Sequence, residues 1–307
     1  MSALPHGGGL LAAAHRYGIP TGEWLDLSTG INPRGYRLPR VPAVVWQRLP
    51  QDDDGLVAIA ARHYGCDALL PVAGSQAAIL ALPRLRAPSR VALLAPMYAE
   101  HAQAWQRAGH SVRAMPADAL IEAQDADVIV LANPNNPTGA RFAPRDLLAL
   151  HARLPAGGWL VVDEAFMDAT PDQSLARHCP RPGLIVLRSL GKFFGLAGAR
   201  VGFVLGWSTL LEQLSAEIGP WTIAGPARWA AGLALVDQAW IDRTRVRLTR
   251  DSARLARLLT AHGLPPSGGC ALFQWVCSER AHALHEALAR RGVLTRLFDT
   301  PASLRFG

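Results

Sequence analysis

Five short apolar runs, rich in Val, Ile and Leu, are strung through the middle of this 307-residue chain. They are RVALLAP (90–96), DVIVLANP (127–134), GWLVVDEAF (158–166), LIVLRSLG (184–191) and RVGFVLG (200–206). Each has the length of a strand, and near-continuous apolar character suits strands buried on both faces. Helical patterns such as AEHAQAWQRAGH (99–110) and PRDLLALHARLP (144–155) run between the earlier ones. Strand–helix–strand alternation predicts an α/β domain with a mostly parallel sheet over residues 45–225. The pattern then changes. Residues 228–263 read as one long helical stretch with few breakers, followed by a strand (CALFQWVC, 270–277), a helix (RAHALHEALARRG, 280–292) and a strand (SLRFG, 303–307). That order predicts a smaller α+β domain over 226–307. The Gly- and Pro-rich start, 1–44, reads as an arm that also joins the small domain.

Half of the residues are apolar, enough for a sizeable core, so disorder is not expected. No run of 18 uncharged apolar residues is present, and the N-terminus lacks the basic and apolar regions of a secretory signal. Neither a membrane span nor export is expected. Cys66, Cys179, Cys270 and Cys277 form no CxxC pair, which reads as reduced cytoplasmic thiols rather than a disulfide framework or a metal site. The net charge of +7 permits nucleic acid, a membrane surface or an anionic small molecule as partner. The densest basic cluster, Arg243, Arg245, Arg247, Arg250, Arg254 and Arg257, is spaced like solvated faces of a helix, and no nucleic-acid-binding signature accompanies it. Of the 31 Lys and Arg residues, Lys192 is the single lysine.

In open α/β sheets, ligands bind beyond the carboxyl ends of the strands. Three polar motifs fall there: NPNNPTG (133–139), DEAF (163–166) and SLGK (189–192). A fourth, AGSQAAI (73–79), reads as a tight turn opening a helix. Each admits a plain reading alone. NPNNPTG is also a turn composition, Asp163 and Glu164 also suit a helix cap, and a lone lysine is usually a surface residue. Together they occur in one order within one domain.

That order, GSxxAI, PxY, NPNNPTG, DEAF, SxxK and a following Arg, resembles the fold type I pyridoxal-phosphate enzymes, the aspartate aminotransferase superfamily. HGGGLLAAAHRYGIP, LDLSTGINPRGY and SLRFG make the chain similar to the histidinol-phosphate aminotransferase branch, and more so to the threonine-phosphate decarboxylases of the cobalamin pathway. The resemblance covers essentially the whole chain. It implies pyridoxal 5′-phosphate as cofactor, held by Lys192 as a Schiff base; an imine needs a primary amine, which a guanidinium cannot supply. It implies Asp163 beside the ring nitrogen, Tyr98 stacked on the ring, and Asn136 on the phenolic oxygen. Ser75, Gln76, Ser189 and Arg200 match the positions that hold the cofactor phosphate. On the substrate side, Arg305 matches the α-carboxylate arginine, Arg296 a second arginine, and His6 and Gly7 the element that holds a substrate phosphate. Gly30 stands where the decarboxylases have an asparagine in an N-I-N-P run.

Two departures bear on the reaction. Phe166 replaces a tyrosine of the aminotransferases, which removes one hydrogen bond worth on the order of 1 kcal/mol. Leu49 replaces a tyrosine that reaches the partner subunit's cofactor. Both weigh against transamination. The implied reaction is decarboxylation of O-phospho-L-threonine, with transamination of a phosphorylated amino acid or alcohol as the alternative; a cofactor-free basic binding protein is a third class. A homodimer is expected, and the resemblance implies about one more helix beyond SLRFG.

Overall fold

A computed structural model describes residues 6–307. Residues 1–5, which open the expected arm, lie outside the described residues. The first strand, β1 (Leu25–Leu27), belongs to a small sheet completed by the last part of the chain. The next seven form a large sheet. They are β2 (Leu69–Val72), β3 (Arg90–Leu94), β4 (Ser111–Met115), β5 (Val128–Ala132), β6 (Trp159–Asp163), β7 (Leu184–Ser189) and β8 (Gly202–Leu205). Their order is β2-β8-β7-β6-β5-β3-β4. β3 through β7 pair parallel, and β8 alone runs against its neighbours β7 and β2.

All five apolar runs are strands, and every residue of β5, β6 and β7 is buried. Alternation splits their side chains between two cores. One face packs Val130, Val161 and Leu187 under helices Gly74–Ala81, Glu100–Arg107 and Ser208–Ile218. The other packs Leu131, Leu160 and Val186 against helices Leu56–Tyr64, Pro144–Ala152 and Gly225–Val236. β2 and β4 were not foreseen. Both lie at sheet edges, where a proline (Pro71) and a half-polar run (SVRAM) are tolerated.

The helical stretch expected as one piece over 228–263 is two helices, Gly225–Val236 and Gln238–Ala261. The break is at Asp237, whose carboxylate accepts from Trp240 N at 2.9 Å and caps the second helix. Its arginines are not all solvated. Arg243, Arg250, Arg254 and Arg257 are exposed, but Arg245 Nε donates to the Asp168 carbonyl (2.9 Å) and Arg247 Nη2 to that of Arg34 (3.1 Å). These two bonds bolt the helix to the body.

The small sheet adds β9 (Gly268–Cys270), β10 (Phe273–Cys277), β11 (Val293–Asp299) and β12 (Ala302–Phe306), in the order β1-β11-β12-β10-β9. CALFQWVC, expected as one strand, therefore turns at Ala271–Leu272 and contributes to two. β1 pairs parallel with β11, and the other pairs are antiparallel. The α/β reading with a smaller α+β part holds. The NPNNPTG loop joins the two sheets by backbone contact. Gly139 has φ +73°, and a Cβ there would lie 2.3 Å from Gly269 N. A Cβ on Gly268 would lie 2.1 Å from the Thr138 carbonyl oxygen, so the approach requires glycine on both sides.

Candidate active site

Beyond the carboxyl ends of the parallel strands the two sheets meet, with Asn136 after β5 accepting from Arg305 of β12. Asp163, the last residue of β6, is buried. Its Oδ1 accepts from Ala165 N at 3.0 Å, and its Oδ2 lies 3.0 Å from Nε2 of the buried His101. His101 sits on helix Glu100–Arg107, three residues after Tyr98, and the two rings meet edge to face at 6.3 Å. Burial, with Glu100 and Asp163 nearby, pushes the Tyr98 phenol up to about 12. It stays protonated and donates to Gln76 Oε1 at 3.1 Å. Gln76 Nε2 donates in turn to Glu100 Oε2 at 3.1 Å, and the other Glu100 oxygen meets His6 Nε2 at 2.9 Å. An arm residue is thereby tied to the residue expected to stack on the cofactor.

The loop after β7 supplies the amine. Ser189 is buried, and its Oγ accepts from Gly191 N at 3.2 Å. Lys192 is largely buried, with Nζ 5.6 Å from the centre of the Phe166 ring. Burial pushes its amine down to about 8; Arg305 acts in the same direction, Asp163 opposes it, and Arg200 adds a smaller push downward. Lys192 thus feels the charges of Arg305, Asp163 and Arg200. Arg200, at φ +53°, bonds the Ala197 carbonyl (3.1 Å) and lies against Gly74 at the start of helix Gly74–Ala81. A Cβ on Gly74 would come within 2.8 Å of Arg200 Nη2, and one on Gly202 within 2.6 Å of Ser75 N. The two glycines leave room where Ser75, Ser189 and Arg200 meet.

On the small-sheet side, Arg305 is 6% exposed. Its Nη1 donates to Asn136 Oδ1 and its Nη2 to the Ser28 carbonyl (2.7 Å). Its buried Nε has no hydrogen-bond partner among the described residues. Burial, then the neighbouring Arg296, pushes Arg305 down to about 10. Arg296 is its register partner across β11 and β12, so both side chains leave the same face of the sheet. Arg296 rests 5.0 Å from the Phe298 ring, and burial holds its pKa down too. Ser28 also receives Gly8 N on its Oγ (2.8 Å), and a Cβ on Gly7 would lie 2.3 Å from its carbonyl oxygen. Gly30 faces an aromatic wall in which Phe166 and Phe273 meet edge to face at 5.2 Å.

Of the residues singled out from the sequence, Ser75, Gln76, Tyr98, Asn136, Asp163, Ser189, Lys192, Arg200 and Arg305 gather around this junction of the two sheets. Gly7 and Gly30 approach it through Ser28 and Phe166. His6 reaches it through Glu100, and a carboxylate rather than an open pocket faces its ring. Arg296 flanks Arg305. The sequence reading missed His101, Ser28, Glu100 and Phe273. His101 had one usable signal: it follows Tyr98 by three residues, the reach of the turn that opens the helix, in which His101 N returns to the Tyr98 carbonyl at 3.2 Å.

Residues 56–307 match the family described as aminotransferase class I and II. A threonine-phosphate decarboxylase of Pseudomonas aeruginosa is 57% identical over 99% of this chain and 92% of its own length. A second, from Sinorhizobium sp, is 44% identical over 100% and 94%. The fold also matches histidinol-phosphate aminotransferase from Sinorhizobium meliloti in complex with pyridoxal-5′-phosphate, with a TM-score of 0.79 at 22% identity over 99% of this chain and 90% of that one. With the motifs gathered at the ends of one parallel sheet, the chain belongs to the aminotransferase class I and II family.

Proposed function

We propose that this chain is a pyridoxal-phosphate-dependent decarboxylase that converts O-phospho-L-threonine to CO₂ and (R)-1-aminopropan-2-yl phosphate, the aminopropanol precursor of cobalamin. One feature of the site carries the reading. The sole lysine, held largely neutral above about pH 8, lies close enough to feel a buried guanidinium whose Nε has no partner among the described residues. An amine for the cofactor and a fork for an α-carboxylate are what a pyridoxal-phosphate enzyme acting on an α-amino acid requires. The likeness to two threonine-phosphate decarboxylases over nearly the whole chain supports the substrate.

The residues fit the cofactor. Lys192 offers the amine, Asp163 a carboxylate held on both oxygens, and Ser75, Ser189 and Arg200 a phosphate seat cleared by Gly74 and Gly202. Bound there, pyridoxal phosphate supplies the electron sink for loss of CO₂ from an α-carbon. The protein supplies the rest. Asp163 would keep a proton on the ring nitrogen, with His101 keeping Asp163 aimed. Tyr98 would cover the ring, Asn136 would bond its phenolic oxygen, and Arg305 would orient the substrate carboxylate. Lys192 Nζ, its pKa lowered to about 8, would move the proton at the α-carbon. His6, Gly7, Gly30 and Arg296 line the approach of the substrate phosphate.

We also infer a large domain over 45–225, a small one over 226–307 with the arm of 1–44 attached, and a homodimer. Val44, Trp46, Leu49 and Val236 are exposed beside a groove of about 480 Å³ lined by Val45, Ile59, Trp229 and Leu233. Sedimentation at micromolar concentration checks the dimer. The four free cysteines fit a reducing cytoplasm. Among the described residues no helix is long and apolar enough to cross a membrane.

The reaction is tested by mixing holo-protein, phosphothreonine and 2-oxoglutarate. CO₂ release with no consumption of the keto acid is expected. Keto-acid consumption without CO₂ makes the protein an aminotransferase, and no visible absorbance band, or one that survives Lys192→Ala, removes the cofactor reading.

A further inference from the structure

β6 and β7 run side by side, with Asp163 opposite Leu187. Asp163 and Ser189 leave the face that carries Val161, Leu187 and helix Gly74–Ala81. The neighbouring residues, Glu164 and Arg188, face the other way, and the ladder continues between them through Glu164 N and the Leu187 carbonyl (2.9 Å). Behind the sheet, Arg188 Nη1 donates to Glu164 Oε2 at 2.7 Å and Nη2 to Asp168 Oδ1. Side-chain exposure is 2% or less for all three. The guanidinium lies over the Tyr64 ring at 4.7 Å. Glu164 also receives Leu175 N (2.7 Å) and Ser174 Oγ, so the loop beyond β6 is fastened to the same cation.

Stability is a poor explanation for such a cluster. Burying one cation between two carboxylates removes hydration from all three, and apolar residues of similar volume are often as stable or more so. A planar fork that meets two carboxylates at once does fix geometry, which a single ammonium cannot do. We propose that Arg188 is a positioning residue for the cofactor seat: it locks the ends of β6 and β7 from behind, and so sets the spacing of Asp163 from the Ser189–Lys192 loop in front. The inference rests on the seat proposed above and adds the element that holds its two halves in register.

Arg188→Lys keeps the charge but not the fork. Asp168→Asn keeps the Arg188–Glu164 arm and strips the other of its charge, leaving a weaker bond to a neutral amide oxygen. Leu120→Ala, at a buried site on helix Ala117–Ile121 near the far edge of the sheet, is the control for lost stability alone. Three quantities are measured for each: the unfolding midpoint, the cofactor dissociation constant by equilibrium dialysis well below that midpoint, and the pH midpoint of the holo-protein's visible band. Both cluster variants are expected to bind cofactor on the order of tenfold more weakly, as sub-ångström misplacement produces, and to move the band's pH midpoint. Leu120→Ala is expected to lose stability and change neither. Wild-type constants and band midpoints in the cluster variants overturn the proposal, and so does an equal change in the control. If Arg188→Lys does not fold, Asp168→Asn decides. A wild-type protein that binds no cofactor overturns the seat itself, a result distinct from any of these.

Discussion

His101 and Asp163 form a buried pair, Nε2 to Oδ2, at 3.0 Å. With Ala165 N on the other oxygen, the carboxylate is held at both ends and cannot turn without losing a bond. His101 therefore acts through Asp163, fixing the direction in which the carboxylate faces the proposed cofactor seat.

His101→Ala leaves one oxygen of a buried carboxylate unpartnered. The cofactor-free protein should lose about 1–3 kcal/mol in urea unfolding. Cofactor binding should weaken as well, and His101→Gln, which can still donate, should recover part of both. Unchanged unfolding and binding in His101→Ala would show that the pair does not matter.

The pair also marks where sequence reading stops. β3 and β5 to β8 were legible because burial on both faces leaves a continuous apolar run. β2 and β4 were not, because edge strands carry no such demand. The break at Asp237 lacks Gly or Pro; a capping carboxylate makes it, and Asp, common on solvated helix faces, hides there. Lys192, Asp163 and Asn136 stood out because they lie within motifs that resemble those of a known family. The partners that hold the site together lie far off in sequence, Arg188 from Glu164 by 24 residues and Arg305 from Ser28 by 277. No local pattern reports such pairings.

Lys192 gives a pH prediction. Its folded pKa, about 8, lies below the ordinary 10.5. Below pH 8 both folded and unfolded chains carry the proton, and the folded state bears the full cost of a buried ammonium. Between those two values only the unfolded chain holds it, so stability rises with pH across that window. Cofactor-free Lys192→Met should be more stable than wild type at pH 7, by on the order of 3 kcal/mol, with the gap closing toward pH 10. A gap that stays constant with pH means that Lys192 is not perturbed.

Gly30 is set by its neighbours. A Cβ there would lie 2.8 Å from Phe166 Cε1 and 3.2 Å from Phe273 Cδ1. Gly30→Ala should cost about 1–3 kcal/mol through overpacking. Combined with Phe166→Leu, which opens the wall, the two costs should sum to less than their separate values. Thermal unfolding of the four proteins gives the answer, and strict additivity would mean that Gly30 and Phe166 do not share this space.

Arg305→Lys separates carboxylate binding from everything else. Two of the arginine's nitrogens are already used on Asn136 and Ser28, and they hold the guanidinium plane fixed with Nε left over. A lysine keeps the charge but presents no plane, so it cannot both keep those bonds and orient a carboxylate. The kcat/KM for phosphothreonine should fall on the order of 10²-fold. The product, 1-aminopropan-2-yl phosphate, has no carboxylate, so its inhibition constant should stay near the wild-type value. The split between the two ligands is the diagnostic. If product binding weakens as much as kcat/KM falls, Arg305 serves the phosphate or the fold, and the carboxylate must be held elsewhere, with Arg296 on the adjacent strand the first residue to substitute next.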